Sequence, residues 1–388
     1  MEFNESQKKA VRHCDGPMLL LAGPGSGKTT VITHRIKYMT EEHGVRPDNI
    51  LVITFTKAAA NEMKGRFQEL CPGPRGVTFG TFHSVFFWML RNAYNYTAAN
   101  IVTDSEKYGA IRDSIDRHGF RYDSQEDFAK NVVGEIGNVK SERASLENYE
   151  STTMKPEDFR VVYDEYENFL RRCGKIDFDD MLVFTYELLS ERPDILKLWQ
   201  GKFRYILIDE FQDINMIQYD IVKLLAGESQ NVFAVGDDDQ SVYGFRGAAP
   251  AIMKKFPEDF HGTVIEYLNV NYRCSYDIVE CSKRIIQNNR DRYEKQLRSA
   301  FAAGQSDRVH IVKTDSMPDQ NKKIIDRITE LNRAGIPYRE MAIIFRTNTE
   351  PRALASKLME NGIPFLMKDN IPNIFTHFLA ENIFDYIR

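Results

Sequence analysis

Between residues 19 and 30 the chain reads LLLAGPGSGKTT, an apolar run that meets a glycine-rich turn and ends in Lys-Thr. Such a turn can wrap an anion. The chemistry needs a strand that stops abruptly, backbone amides that converge on the charge, and a helix whose positive N-terminal end faces it. Leu19 to Leu21 supply the strand, while Gly23, Gly25 and Gly27 permit the backbone angles and the close approach. Lys28 can reach the β- and γ-phosphates of a nucleotide, and the Thr29 hydroxyl is placed to bind Mg²⁺. Ala22 stands where the usual loop pattern has its first glycine, and a residue that small still leaves the turn room.

Two further groups could share that chemistry. The run Tyr205-Ile-Leu-Ile-Asp209-Glu210 puts carboxylates at the C-terminal end of a buried strand, the edge at which open α/β sheets bind ligands. Asp209 suits Mg²⁺ opposite Thr29, and Glu210 suits a base that takes a proton from water attacking the γ-phosphate. Gln7 lies in FNESQKKAV, a short helix that Asn4 or Ser6 would cap. Its amide both donates and accepts, as an adenine edge requires.

The elements that must carry these groups alternate. After the phosphate-binding loop comes a helix over VITHRIKYMT, a turn at Pro47 and Asp48, a buried parallel strand over NILVITFT, and a helix over KAAANEMKGRFQEL. A loop at CPGPRG leads to VTFGTFHS, expected as one more strand. From about Phe86 to Arg172 the alternation gives way to polar helical sequence, expected as an all-helical insertion. Strands resume at FRYILIDE, NVFAVGDDD and TVIEYL. A second alternating block follows, with strands over RVHIVKTD, MAIIFRTN and IPFLM and helices over NKKIIDRITELNRAG and RALASKLMENG, each helix closed by a glycine, Gly335 and Gly362. The pattern predicts a doubly wound parallel sheet and a second α/β domain that closes on a nucleotide held by the first.

With 388 residues the chain exceeds one ordinary core, and 42% hydrophobic against 28% charged residues describes a globular protein of two or three domains. The net charge of -5 neither demands nor excludes nucleic acid, because a local basic groove decides that binding. Five scattered cysteines without a C-x-x-C pair predict free thiols in a reducing compartment and no metal cluster. No basic-then-apolar leader opens the chain and no apolar run approaches the ~20 residues of a membrane helix. A cytoplasmic protein with no membrane contact is expected.

DEFQD at 209–213, GDDDQSVYGFRGA at 236–248, TFTKAAANEM at 54–63, GTFHS at 80–84, DFDDML at 177–182 and NYRC at 271–274 together resemble the UvrD/Rep/PcrA-type superfamily 1 DNA helicases, in the family's order. The resemblance implies RecA-like P-loop NTPase domains. It divides the chain into a first RecA-like domain over 1–88 and 176–269, a helical insertion over 89–175, and a second, incomplete RecA-like domain over 270–388. It implies ATP and Mg²⁺ as cofactors, with Gln7, Ala22, Gly23, Pro24, Gly25, Ser26, Gly27, Lys28, Thr29, Thr30, Tyr272 and Arg273 around the nucleotide and Thr29 and Asp209 on the metal. Lys28, Glu210, Gln240 and Arg273 become the catalytic group. Gln240 resembles the sensor of the γ-phosphate, Tyr272 the residue that packs on adenine, and Arg273 an arginine finger.

Single-stranded DNA needs aromatic platforms, each stacked base contributing about 1–3 kcal/mol. Phe55, Tyr243 and Phe245 stand in polar loops where a core role is less natural, and the resemblance lines the DNA path with them. Phe245 departs from the tryptophan often found there. Thr54, Thr56, His83 and Arg246 would touch phosphates. The implied activity is ATP-driven movement on single-stranded DNA, 3′ to 5′, with unwinding at junctions with duplex, by a monomer that meets repair or replication proteins. An ATP-responsive single-strand binding protein without motor activity and the motor part of a helicase-nuclease are the alternatives. The family pattern continues with a second helical insertion, a T-x-H-x-x-K-G-L-E-like motif and a closing arginine motif, none of which occurs here. An N-terminal portion of a longer helicase or a shortened gene product, slow in hydrolysis by itself, is therefore expected.

Overall fold

The computed structural model describes residues 2–73, 76–120, 125–241, 251–290, 292–304, 309–347, 350–367 and 386. They divide into two compact units, Met1–Val309 and His310–Arg388.

In the first unit, α1 (Glu5–Arg12) precedes β1 (Met18–Ala22), α2 (Lys28–Glu41), β2 (Ile50–Thr54), α3 (Lys57–Leu70) and β3 (Thr78–Thr81). Asn4, not Ser6, caps α1: its side chain accepts from the Gln7 N–H at 2.8 Å, and Gln7 Oε1 accepts from the Asn4 N–H at 3.1 Å. The strand expected over VTFGTFHS ends at Thr81, whose hydroxyl caps α4 (Phe82–Tyr94), so His83 lies in a first helical turn instead of on a strand. The insertion then runs through α5 (Asp104–His118), α6 (Gln125–Glu142) and α7 (Pro156–Cys173), whose buried Ile111, Val132, Ile136, Phe159, Val162 and Tyr166 make a core of their own.

The chain returns through α8 (Phe178–Glu191), α9 (Pro193–Lys202), β4 (Tyr205–Ile208), α10 (Met216–Ala226) and β5 (Val232–Gly236). After α11 (Ala251–Asp259) come β6 (Val264–Leu268), β7 (Val270–Asn271), α12 (Tyr276–Ile286) and β8 (Arg298–Ser299), with β7 and β8 paired in parallel. The six-stranded sheet has the order β3-β2-β4-β5-β1-β6, and every pairing in it is parallel.

Side-chain alternation explains why the central strands are apolar throughout. Leu19, Leu21, Leu51, Ile53, Ile206 and Ile208 face a core shared with α4, α8, α9, α10 and α11. Met18, Leu20, Ile50, Val52, Leu207 and Phe233 face the opposite core, under α1, α2 and α3. Because all six strands point the same way, every loop at their carboxyl ends opens on one edge.

In the second unit α13 (Met317–Arg333) and α14 (Pro351–Glu360) form as expected, and Gly335 and Gly362 take left-handed φ values of 94° and 64° beyond them. The three strands expected beside them are absent among the described residues. The described parts of these segments, 309–315, 341–347 and 363–367, form no ladder, and Ile311, Ile344 and Leu366 are exposed. An extended segment becomes a strand only when a neighbour takes its backbone hydrogen bonds, and no such neighbour is found among the described residues. Ile325, Ile328, Leu354, Leu358 and Ile363 make the small core.

Candidate nucleotide and nucleic-acid site

The loop after β1 owes its shape to glycine. Gly25 and Gly27 have φ of 66° and 88°, and Gly27 caps α2, so the amides of the first turn face the loop. A Cβ on Gly25 would stand 2.7 Å from Arg273 Cβ and 2.9 Å from Asn271 Oδ1, and one on Gly23 would stand 2.7 Å from Leu297. Ser26 is buried and closes the turn onto the Gly23 carbonyl at 2.6 Å. Ala22 is the buried last residue of β1, Pro24 is exposed, and Thr29 and Thr30 begin α2 half-buried.

The carboxylates after β4 arrive beside this loop. Glu210 adopts a left-handed backbone, φ 53° and ψ 48°, which turns the chain sharply as the strand ends. Lys28 Nζ donates to Glu210 Oε2 at 2.5 Å, joining residues 182 positions apart. Asp209 is buried and its Oδ1 has no hydrogen-bond partner. Burial first, and then the Glu210 charge, push the Asp209 carboxyl up to about 6, with Lys28 opposing them. A buried, under-satisfied carboxylate at the mouth of a phosphate loop fits a divalent cation, because the cation would supply the missing partner.

Gln7 is buried against the loop. Its Nε2 donates to the Ser26 carbonyl at 3.1 Å, while its Oε1 is occupied by the α1 cap. Tyr272 is exposed, donates its N–H to the Gly25 carbonyl at 3.0 Å, and its hydroxyl accepts from Asn4 Nδ2 at 3.0 Å. Arg273, on the same turn, is exposed. Asn271 holds that turn: its Oδ1 accepts from the Arg273 and Cys274 N–H groups at 2.8 and 2.7 Å. Gln240 donates to Asp237 Oδ2 at 2.6 Å, in the turn after β5. Gln7, Lys28, Glu210, Tyr272 and Arg273 are thus all tied to, or packed on, one loop.

Other residues that hold the site together carry no chemical signal of their own in the sequence. Gln212 is buried within DEFQD and bridges Glu210 Oε2, at 2.9 Å, to the Asp237 N–H, also at 2.9 Å. Asn271 stands in NYRC beside the two residues singled out there, and Lys295 lies in no motif at all.

The residues expected on DNA follow β2 and β3 at the same sheet edge. Thr54 is buried and donates to the Thr56 carbonyl at 2.9 Å, while the Thr56 hydroxyl caps α3 by accepting from Ala59. Both hydroxyls therefore already serve the local turn, and Phe55 stands half-buried between them. His83 packs edge-on against Phe178 with ring centroids 5.6 Å apart, and burial lowers its pKa, which favours the neutral imidazole. A neutral ring can hydrogen-bond a phosphate but brings it no charge. Tyr243, Phe245 and Arg246 lie outside the described residues.

The profile of the UvrD/REP helicase N-terminal domain matches residues 3–261, and that of the UvrD-like helicase C-terminal domain matches 266–388. Proteins named ATP-dependent DNA helicase PcrA are among the relatives: one from Staphylococcus epidermidis is 36% identical over 378 residues, and one from Staphylococcus aureus is 36% identical over 375. Each alignment covers 94% of this chain and 50% of the relative, so the chain spans about half the length of the curated relatives it matches. Among the described residues no helix is long and apolar enough to cross a membrane. With a glycine-rich loop and a neighbouring carboxylate pair on a parallel sheet, and with matching profiles over residues 3–261 and 266–388, this chain belongs to the UvrD/REP helicase family.

Proposed function

We propose that this chain is the motor portion of an ATP-dependent DNA helicase, hydrolysing ATP to move along single-stranded DNA, 3′ to 5′, and to open duplex at a junction. The observation that carries the proposal is the convergence of Lys28, Glu210 and the under-satisfied Asp209 carboxylate on one glycine loop. In this reading 1–88 and 176–269 form the first RecA-like domain, 89–175 the helical insertion, and 270–388 the second domain.

Amides of the loop and the start of α2 cradle the phosphates, and Lys28 exchanges Glu210 for a phosphate oxygen. That exchange frees Glu210 to accept a proton from the attacking water as the bond from the γ-phosphorus to the ADP oxygen breaks. Thr29 and Asp209 would hold Mg²⁺, which neutralises charge on the β- and γ-phosphates. Gln7 and Tyr272 flank the adenine side, Gln240 reports the γ-phosphate, and Arg273 brings positive charge to it. Thr54, Phe55, Thr56 and His83, with Tyr243, Phe245 and Arg246, form the DNA track, along which Phe55 stacks a base.

ATP turnover measured with and without single-stranded oligonucleotide, in the wild-type chain and in Glu210→Gln, tests the proposal. Turnover raised several-fold by DNA and lost in Glu210→Gln supports it. Oligonucleotide binding with no turnover in the wild-type chain would instead favour a binding protein without motor activity.

A further inference from the structure

The turn after β5 carries three consecutive aspartates, Asp237, Asp238 and Asp239, with carboxylate oxygens within 4.8 Å of one another. Like charges this close need compensation, and a segment more than 50 residues away supplies it. Lys295, 4% exposed at its side chain, contacts all three: Asp237 Oδ1, Asp238 Oδ1 at 2.5 Å and Asp239 Oδ2 at 2.8 Å. Arg292 forks onto Asp239 through Nε and Nη2, both at 2.7 Å, and the Tyr293 N–H donates to Asp238 Oδ2 at 2.6 Å. With its cations in place, the trio of aspartates is an occupied ion-pair cluster rather than a vacant cation site.

Asp237 is the joint of the cluster. It is fully buried, its Oδ2 accepts from Gln240 Nε2, and its N–H donates to Gln212 Oε1. Gln212 in turn donates to Glu210 Oε2, which also accepts from Lys28. An unbroken run of hydrogen bonds therefore leads from the phosphate-binding loop to Lys295. A cavity of 290 Å³ is lined by Gly23 and Pro24 of that loop together with Gln240, Arg292 and Lys295, so the clamp and the loop face the same space.

We propose that Lys295 is a positioning residue for the nucleotide site: by neutralising Asp237, Asp238 and Asp239 it holds Gln240 and, through Gln212, Glu210 in the orientation used at the γ-phosphate. The inference rests on the hydrolytic function proposed above and extends it to a segment outside the motifs. The run of hydrogen bonds ends on Gln240 and Glu210, the side chains proposed above to act at the γ-phosphate and at the water that attacks it.

The test compares Lys295→Ala and Lys295→Arg with the wild-type chain by single-turnover ATP hydrolysis, by binding of a fluorescent ADP analogue, and by thermal melting. Lys295→Ala is expected to slow hydrolysis about tenfold or more while the analogue's Kd moves less than about threefold, and Lys295→Arg to retain roughly a third or more of the wild-type rate. Rate and affinity lost in proportion, an unchanged rate, or an arginine variant no better than alanine would each overturn the proposal. If Lys295→Ala does not fold, Lys295→Gln combined with Asp238→Asn removes one charge of each sign and takes the same measurements. Failure of the wild-type chain to hydrolyse ATP defeats the proposed function itself, whereas hydrolysis indifferent to Lys295 defeats only the clamp.

Discussion

Replacing Asp209 by Asn should make the protein more stable and inactive at once. The side chain is buried, one of its oxygens lacks a partner, and Glu210 adds a second negative charge beside it, with Lys28 the opposing cation. Its carboxyl is raised from 3.8 to about 6. A raised carboxylate pKa means that the native state holds the proton more tightly than the unfolded chain does. Stability from this group is therefore complete below about pH 4 and is lost as pH climbs through 6. Keeping a carboxylate ionised in a site that raises its pKa this far costs the folded state about 3 kcal/mol at pH 8, falling to roughly half that at pH 5, where the native carboxyl is mostly protonated. Asparagine keeps the shape and has no charge to desolvate, so Asp209→Asn should recover most of that difference. Urea unfolding in EDTA reads it directly, because both tryptophans, Trp88 and Trp199, pack in the core of the first unit. The expected result is a stabilisation of about 3 kcal/mol at pH 8 that shrinks towards pH 5, with Mg²⁺-dependent ATP turnover abolished. A destabilised variant at pH 8, or a difference that does not change with pH, would refute the electrostatic account of Asp209.

Lys28→Ala should abolish binding of a fluorescent nucleotide while shifting the melting curve little, since its partner Glu210 is a third exposed and such pairs contribute about 0–1 kcal/mol. Gly25→Ala forces a Cβ into the left-handed region and against Arg273, so calorimetry should register a loss of about 1–3 kcal/mol together with weakened nucleotide affinity. In the insertion, Lys140 is buried among Asp177, Asp180 and Glu167 at 3.0, 2.7 and 2.6 Å. Lys140→Met would strand those carboxylates and should cost about 3–5 kcal/mol in urea unfolding at pH 8. The deficit should narrow at pH 5, because burial and the Asp177 charge already raise Asp180 to about 7 and it takes up a proton.

Much of the fold was legible in the chain because its signals are local. A continuous apolar run such as LLLA, bounded by a glycine-rich turn, fits a strand covered on both faces, and Gly-Ser-Gly-Lys-Thr after it fits a sharp turn into a helix. The expectation over VTFGTFHS ran too long because Thr81 ends the strand by capping the next helix, a choice between two local preferences that neighbouring packing decides. The three strands expected over 308–315, 341–348 and 363–367 form no ladder among the described residues for a different reason: apolar alternation makes a segment ready to pair, but pairing needs a partner strand.

Sequence alone pointed to the family, the glycine loop, the carboxylate pair and the parallel sheet that carries them, since the loop and the pair rest on residue types a few positions apart and the family and sheet on the order in which such short motifs and elements follow one another. Only the tertiary structure decided that Lys28 pairs with Glu210, that one oxygen of the buried Asp209 carboxylate lacks a hydrogen-bond partner, that Asn271 shapes the turn against Gly25, and that Lys295 closes on three aspartates. Those contacts join positions tens to hundreds of residues apart. Their energy depends on burial and on which charges face one another, and neither exists until the sheet has brought the loops to a common edge.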